Sequence, residues 1–422
     1  MGIVDMFAKS ALSLARLLMR SPAISSGVDR LGVRRWYERY SVMRNQAEPA
    51  VSADALYDAR RGLWMLHGTW RAIGAELARV TPVAREVGLA SDYRSSLPQA
   101  ERKCVDAGID ETFEHLRARH ADVAAYLEGA SDGLSGAALR DVVLAASWPS
   151  LVQWRDYSRS CAALAVQTRN GTILGQNLDV GPSNNVVVAH VRPDDGPARL
   201  CHLMPGYFWL GMGVNEFGVT FGGGSVNVAR NFQPSPASLS TSFSDMAVLG
   251  VAHSVAEAER AFRSFAPLGP THDGISLVIA DRLGAVSRLE ATGPDVCVRA
   301  GQAAEFAANH FELEGMTGLN RNDDTSHQLL LDNSAARLAR ARQQFVGPAQ
   351  ADARKICRFL RAGRGPGAWR RTAIHPDTGW TTASYVVDLG QAQYHYWLGT
   401  RPVGVQWRQL DLEPLFSGRS YV

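Results

Sequence analysis

The sequence predicts an α+β protein in which two β-sheets are packed together and covered by helices. Two observations predict it. Residues 1 to about 158 place apolar side chains at helical spacing and lack strand-like alternation. After residue 160, two strand-rich blocks are separated by helical stretches, which suits a sandwich of sheets and helices.

The spacing of apolar residues and turn signals places the individual elements. Helices are expected at 55–79, 100–128 and 136–147, with a break near 147–150, and later at 243–251, 255–265, 333–346 and 351–362. Strands are expected at 161–168, 172–178, 184–192, 198–204, 208–214, 219–221, 275–280, 285–292, 382–388 and 393–398, with a further one ending at 309–310. Ser254 is the expected N-cap of the helix that follows it.

Composition excludes several classes of protein. Of the 422 residues, 44 are Lys or Arg and 41 are Asp or Glu, and a net charge of +3 is too small for a nucleic-acid-binding surface. The five cysteines form no C-x-x-C pair, which indicates a reducing compartment and no structural metal. The first twenty residues read as an amphipathic helix rather than a secretion signal, so we expect a cytoplasmic protein, with contact to a membrane surface left open.

Cys161 lies at the first position of a predicted strand, and its type and place allow two interpretations. A lone cysteine is most often a small buried apolar residue. A nucleophilic cysteine instead needs a base and donors for the developing oxyanion. Asn170-Gly171 predicts a hairpin turn that returns the chain, so Asp179 on the second strand is expected to approach Cys161.

Several segments after Cys161 recur in the order and spacing of a known family. A G-Q-N-x-D motif ends eighteen residues after the cysteine, followed by a glycine-asparagine-glycine turn, an Asn-His pair and a Ser-x-x-Arg helix start. They are Gly175–Asp179, Gly213–Val219, Ala308–His310, and Ser334 with Arg337. This pattern resembles the N-terminal-nucleophile hydrolases of the penicillin (acyl-coenzyme A:6-aminopenicillanic acid) acyltransferase family. The resemblance implies a four-layer αββα catalytic domain over 161–422, preceded by a helical pro-segment over 1–160.

The resemblance also implies how the enzyme works. The chain would cut itself between Ser160 and Cys161, as a zymogen does, and the freed α-amine would be the base for the Cys161 thiol. Its reference pKa near 8 suits that role. Asp179 would orient the amine, and Asn309 would donate to the oxyanion. Asn177 would support the hairpin and the substrate backbone.

Other parts of the site stay open. Gly222–Gly224 would line the acyl pocket or supply a second oxyanion donor, or would only allow close sheet packing. No cofactor or metal is implied. Acyl-coenzyme A is left open as a substrate, since the sequence has no phosphate-cradling loop.

The sequence departs from the family at three places. Ser160 stands where the family usually has glycine, which bears on self-cleavage. The family's later arginine has no clear counterpart, and Arg371 and His375 are the candidates. Gln176 stands where bile-salt hydrolases have arginine, which disfavours an amidase of cholic-acid conjugates.

These features predict a cysteine amidohydrolase or acyltransferase that acts on linear amides or thioesters and passes the acyl group to water or an amine. The 1–160 segment is expected to remain bound as a small subunit. A non-processing pseudoenzyme or binding protein on the same fold remains an alternative, as does a lipid-amide or bile-salt-type amidase. The oligomeric state is not predicted.

Overall fold

The computed structural model describes most of the chain from residue 57 onward. The described ranges are 57–58, 62–81, 83–135, 137–156, 161–180, 186–204, 208–229, 242–266, 274–292, 295–322, 325–345, 351–362, 367–370, 380–398 and 407–417. The predicted amphipathic helix of the first twenty residues lies outside these ranges.

Ten helices and fifteen strands form within the described ranges. The helices are α1 Trp70–Val80, α2 Val83–Ser96, α3 Gln99–Arg119, α4 Ala121–Gly133, α5 Leu139–Asp156, α6 Ser242–Val251, α7 Val255–Arg263, α8 Thr325–Gln344, α9 Ala353–Leu360 and α10 Leu412–Phe416. The strands are β1 Tyr57–Asp58, β2 Leu63–Gly68, β3 Ala162–Thr168, β4 Gly171–Val180, β5 Val187–Pro193, β6 Arg199–Leu203, β7 Leu210–Asn215, β8 Val219–Val226, β9 Gly274–Asp281, β10 Val286–Ala291, β11 Val296–Ala300, β12 Ala304–Ala307, β13 Trp380–Asp388, β14 Gln393–Leu398 and β15 Arg408–Asp411. None of these helices is long and apolar enough to cross a membrane.

Side-chain caps explain where several helices begin. The Thr69 hydroxyl accepts a hydrogen bond from the Ala72 N–H at 3.2 Å and so starts α1. Ser254 caps α7 in the same way by accepting from Glu257 N–H at 3.3 Å, which confirms the predicted cap. Asp352 caps α9 through Lys355 N–H at 2.7 Å.

The strands form two sheets. The larger has nine strands in the order β1-β2-β5-β6-β7-β8-β9-β10-β11, and the smaller has six in the order β12-β3-β4-β13-β14-β15. All neighbours are antiparallel except β2 and β5, which pair in parallel. Because antiparallel neighbours need only short turns, most of the second half of the chain folds through local hairpins.

The two sheets pack face to face, and β3 in the smaller sheet buries side chains on both of its faces. Cys161, Ala163 and Ala165 face the core between the sheets. Ala162, Leu164 and Val166 face a second core under α8 and α9. This two-residue alternation is what a strand buried on both faces requires. With α6 against β7 and α7 against β9 on the outside of the larger sheet, the predicted four-layer αββα arrangement is confirmed.

The segment before Cys161 differs from its prediction. Residues 63–68 of the expected 55–79 helix form β2 inside the larger sheet, and the expected 100–128 helix is two helices, α3 and α4. The run Leu63-Trp64-Met65-Leu66 is short and apolar, and such a run fits a buried strand as well as a helix. The expected break near 147–150 is also wrong, because α5 continues to Asp156 and a proline removes only one hydrogen-bond donor.

Asn177 provides a test of how the smaller sheet holds its helical layer. Its amide donates to Leu360 O and Trp369 O, both at 2.9 Å, and accepts from the Ser384 hydroxyl at 2.6 Å. Replacing Asn177 with Ala leaves buried carbonyls without donors, so we expect a loss of about 3 kcal/mol in the free energy of unfolding, measured by urea denaturation.

The control is Gln328→Ala, in the exposed part of α8, whose amide bonds only to the Asp332 carboxylate. It should change the free energy of unfolding by less than about 0.5 kcal/mol. Equal effects of the two substitutions would contradict the bridging role of Asn177.

Candidate active site

The β3–β4 hairpin brings Cys161 and Asp179 together. The predicted hairpin forms, with Arg169 and Asn170 in the turn and Gly171, at a φ of +138° where glycine is favoured, as the first residue of β4. The register pairs Ala162 with Asn177, so Cys161 at the start of β3 lies beside the last residues of β4. Cys161 is 3% exposed and its side chain belongs to the core between the sheets.

Arg337 on α8 joins the segments of the site. Its guanidinium is buried, and Nη1 donates to the Cys161 carbonyl oxygen at 3.2 Å. Nη2 donates to Asn309 Oδ1 at 2.8 Å. Nη1 also lies 3.9 Å from Asp179 Oδ2, which makes an ion pair. One side chain thus contacts all three residues that were predicted to carry the chemistry.

Asp179 is fully buried at the end of β4. Its Oδ1 accepts from the Thr381 hydroxyl on β13 at 2.6 Å, while its Oδ2 faces Arg337. A buried carboxylate needs both a counter-charge and hydrogen-bond donors to offset the loss of water. These two neighbours supply them and fix the carboxylate beside Cys161.

Asn309 follows β12 and is held by its backbone and its side chain. Its N–H donates to the Ser334 hydroxyl at 2.8 Å, and Nδ2 donates to Ser225 O at 2.8 Å. A guanidinium can only donate, so the contact with Arg337 identifies the Asn309 atom that faces it as the oxygen. The amide nitrogen therefore points toward β8, and among the described residues Ser225 O accepts one of its two hydrogens while the other has no acceptor.

Gly224 on β8 lies between the Cys161 backbone and this amide. A Cβ added there would lie 2.6 Å from Asn309 Nδ2 and 3.0 Å from the Cys161 carbonyl oxygen. Only glycine leaves these two groups in their places. The approach of Asn309 to the Cys161 backbone thus depends on the missing side chain at 224.

Gly222 and Gln176 show how the two sheets meet behind the site. The Gln176 amide is buried and donates to Gly223 O at 2.9 Å, across the interface between the sheets. A Cβ at Gly222 would lie 2.5 Å from Gln176 Oε1 and 3.1 Å from the Ala163 Cβ. Gly222 therefore permits close sheet packing, which was one of the predicted roles for these glycines.

Tyr385 on β13 is buried near Cys161, and its hydroxyl donates to Phe221 O at 2.7 Å. Burial raises the pKa of Tyr385 well above its ordinary value, and the nearby acidic groups of Asp245 and Cys161 add to this. The phenol is therefore protonated at neutral pH and ties β13 to β8 across the sheet interface.

Part of the chain is similar to a known enzyme family. The family model described as acyl-coenzyme A:6-aminopenicillanic acid acyl-transferase matches residues 166–371. The matched residues make up just under half of the chain. The match supports an acyltransferase or amidohydrolase, as the resemblance implied, and it begins after Cys161.

Three solved structures are among those that match. A mutant of the conjugated bile acid hydrolase from Clostridium perfringens is 13% identical with a TM-score of 0.37, and a variant of the same hydrolase is 14% identical with a TM-score of 0.36. Each match covers 60% of this chain and 93% of the other. Penicillin V acylase from Agrobacterium tumefaciens is 13% identical with a TM-score of 0.33, over 60% of this chain and 86% of that one. No curated protein matches the sequence.

The structure brings some of the predicted site residues together and not others. Cys161, Asp179 and Asn309 surround Arg337. The Asn177 side chain lies on the face of its sheet that α8 and α9 cover, opposite the Cys161 side chain, and it donates to Leu360 O and Trp369 O. Its predicted contact with substrate does not fit that direction. Ser160, Arg371 and His375 lie outside the described residues.

Arg337 was named as part of the family pattern, but its role was missed. It lies 158 residues after Asp179 in the chain, and no local motif signals that the two meet. A hint existed in the spacing, because Ser334 and Arg337 are three residues apart and share one face of a helix. Both contact Asn309.

The ion pair of Asp179 with Arg337 can be tested by a double-mutant cycle. Either Asp179→Asn or Arg337→Met leaves the other charge buried and uncompensated, so each should lower the free energy of unfolding by about 3–5 kcal/mol. The double variant should lose clearly less than the sum of the single losses. Additive losses, measured by urea denaturation of all four proteins, would show that the two groups do not interact.

Proposed function

We propose that the protein is a self-processing cysteine amidohydrolase or acyltransferase with Cys161 as the nucleophile. The observation that carries the proposal is the convergence of Arg337 on the Cys161 carbonyl, Asn309 Oδ1 and Asp179. It sets a cysteine at a strand start beside a buried carboxylate and an oriented amide donor. The match to the acyl-transferase family supports the same reaction class.

Processing would use the Cys161 thiol against the peptide bond before it. The sulfur attacks the Ser160 carbonyl carbon, and the C–N bond breaks to give a thioester and a free α-amine on Cys161. Water then opens the thioester, which leaves a carboxylate on Ser160 and restores the thiol. The family's usual glycine is replaced by Ser160, so the step proceeds here with a side chain next to the attacked carbonyl.

Turnover would use the amine that processing releases. The α-amine takes the thiol proton, and the thiolate attacks the acyl carbon of a linear amide or thioester. The free hydrogen on Asn309 Nδ2 stabilises the tetrahedral oxyanion. Asp179 accepts from the ammonium, which donates its proton to the leaving amine or thiol.

The acyl group would leave the enzyme on water or on an amine. Both nucleophiles attack the thioester carbon, restore the Cys161 thiol and release an acid or an amide. An acyl-coenzyme A donor fits this chemistry as a substrate rather than as a cofactor. Bile-salt conjugates are disfavoured as substrates by Gln176, whose amide is bonded to backbone carbonyls.

We also propose that the segment before Cys161 remains bound as a small subunit. β2 pairs in parallel with β5 from Trp64–Gly68 to Ala189–Pro193. The guanidinium of Arg199 is fully buried, lies 4.4 Å from the Trp70 ring centroid and donates to Met246 O at 2.8 Å. Separation of the two segments would remove β2 from the larger sheet and would take away the Trp70 ring that packs on the Arg199 guanidinium.

The first test is the intact mass of the purified chain. Wild-type protein should separate under denaturing conditions into fragments of residues 1–160 and 161–422. Cys161→Ala should stay whole, because the attacking sulfur is gone. Cys104→Ala, at an exposed cysteine, should be cleaved like the wild type.

An intact wild-type chain whose Cys161 does not react with thiol reagents would contradict the proposal that the protein is a cysteine enzyme. It would favour a non-processing binding protein on the same fold.

The second test concerns the small subunit. After processing, the two fragments should elute together in size-exclusion chromatography at the volume of the uncleaved Cys161→Ala protein, because β2 remains within the sheet. They should separate only in denaturant. A short fragment that elutes freely while the remainder retains activity would remove the subunit proposal.

A further inference from the structure

We propose that Ser334, His310 and Glu312 form a positioning relay that holds Asn309 in place as the oxyanion donor. This inference rests on the proposed function, since it assigns support to one of its residues. The three side chains form a chain of contacts that ends at the Asn309 backbone. Glu312 contacts His310, His310 contacts Ser334, and Ser334 contacts the Asn309 backbone.

The hydrogens in this line can be assigned from one end to the other. Glu312 is an acceptor when ionised, so His310 Nε2, which lies 3.5 Å from Glu312 Oε1, carries the ring proton. His310 Nδ1 is then an acceptor, and the Ser334 hydroxyl at 2.7 Å donates to it. The Ser334 oxygen is left to accept the Asn309 N–H at 2.8 Å. Every contact has one donor and one acceptor.

Glu312 is held ionised at the far end of the relay. Burial would raise its pKa, but hydrogen bonds from His310 and Arg342 and the positive charges of Arg288 and Arg342 outweigh burial and hold the pKa well below its ordinary value. Arg288 Nη1 lies 2.5 Å from Glu312 Oε2, and this arginine is fully buried. The carboxylate is therefore a fixed acceptor for His310 throughout the neutral range.

A serine, a histidine and a glutamate in line also suggest a hydrolytic triad, but the geometry argues against one. Ser334 is fully buried, and its hydroxyl lies 2.7 Å from His310 Nδ1. Its oxygen already accepts from Asn309 N–H. The three residues therefore act through Asn309 and not on the reacting atoms.

Ser334 and Arg337 lie on adjacent turns of one face of α8, and they hold the two ends of Asn309. Ser334 fixes the backbone nitrogen, and Arg337 fixes the side-chain oxygen. With both ends held, the remaining Nδ2 hydrogen points in one direction. An oxyanion donor needs this preorganisation, because a donor that must reorient during the reaction stabilises the charge less.

The test compares two reactions of Cys161 that differ in their need for an oxyanion donor. Acylation by p-nitrophenyl butyrate passes through an oxyanion, whereas alkylation by iodoacetamide does not. In processed Ser334→Ala protein, we expect the maximal acylation rate to fall at least about tenfold, with an unchanged half-saturating concentration, because a misplaced donor loses part of its effect. Alkylation of Cys161 should stay within about twofold of the wild-type rate, by the same reasoning.

Two histidine variants provide matched controls. The amide of Asn at position 310 reaches the place of Nδ1 and can accept from Ser334, whereas the amide of Gln reaches only the place of Nε2. His310→Asn should therefore keep more of the acylation rate than His310→Gln. Asn309→Ala should be slow in acylation, and adding Ser334→Ala to it should slow the reaction no further, because Ser334 acts through Asn309.

Several results would overturn the relay. The first is a normal acylation rate in Ser334→Ala when Asn309→Ala is acylated slowly. The second is a loss of acylation rate in the double variant that equals the sum of the two single losses on a free-energy scale. The third is an equal loss of acylation rate and alkylation rate in Ser334→Ala and in both His310 variants. A wild-type Cys161 that is alkylated but never acylated would instead overturn the proposed function, and the relay with it.

Discussion

A guanidinium buried away from water needs hydrogen-bond acceptors held in fixed positions. The acceptors around Arg337 come from three segments that are far apart in the chain. The Cys161 carbonyl, Asn309 Oδ1 and the Asp179 carboxylate come from the start of β3, the end of β12 and the end of β4. A shift in the register of any one of these strands would move its acceptor away from Arg337. The geometry of the site is thus tied to the correct assembly of the smaller sheet against α8.

The second constraint is the close approach of the two sheets. β8 brings its glycines to this interface, where Gly222 leaves room for Gln176 and Gly224 leaves room for Asn309. The Cys161 side chain points into the same interface, so the proposed nucleophile lies in a core rather than on a surface.

Much of the fold could be predicted from local patterns, because its strands are short, alternate with clear turns and mostly pair with their neighbours in sequence. The Asn170-Gly171 hairpin and the Ser254 cap are examples whose signals lie within a few residues. β2 could not be predicted in this way, since its partner β5 begins more than a hundred residues later and the apolar run Leu63–Leu66 fits either kind of element. Asp179 and Asn309 were found by a family pattern, and the pattern's Arg337 received no role because its significance lies in tertiary contacts.

β2 also bears on the order of events during maturation. The strand lies between β1 and β5, and its backbone pairs with residues that follow Cys161. If the bond before Cys161 is cut, the cut must come after this pairing, because two separate chains would have to find each other at a cost in translational freedom that a single chain does not meet. The uncut polypeptide then serves as its own assembly template. If the cut occurs, the cleaved protein, once unfolded, would refold in a bimolecular reaction with a concentration-dependent rate, whereas the uncut chain would refold at a rate independent of concentration.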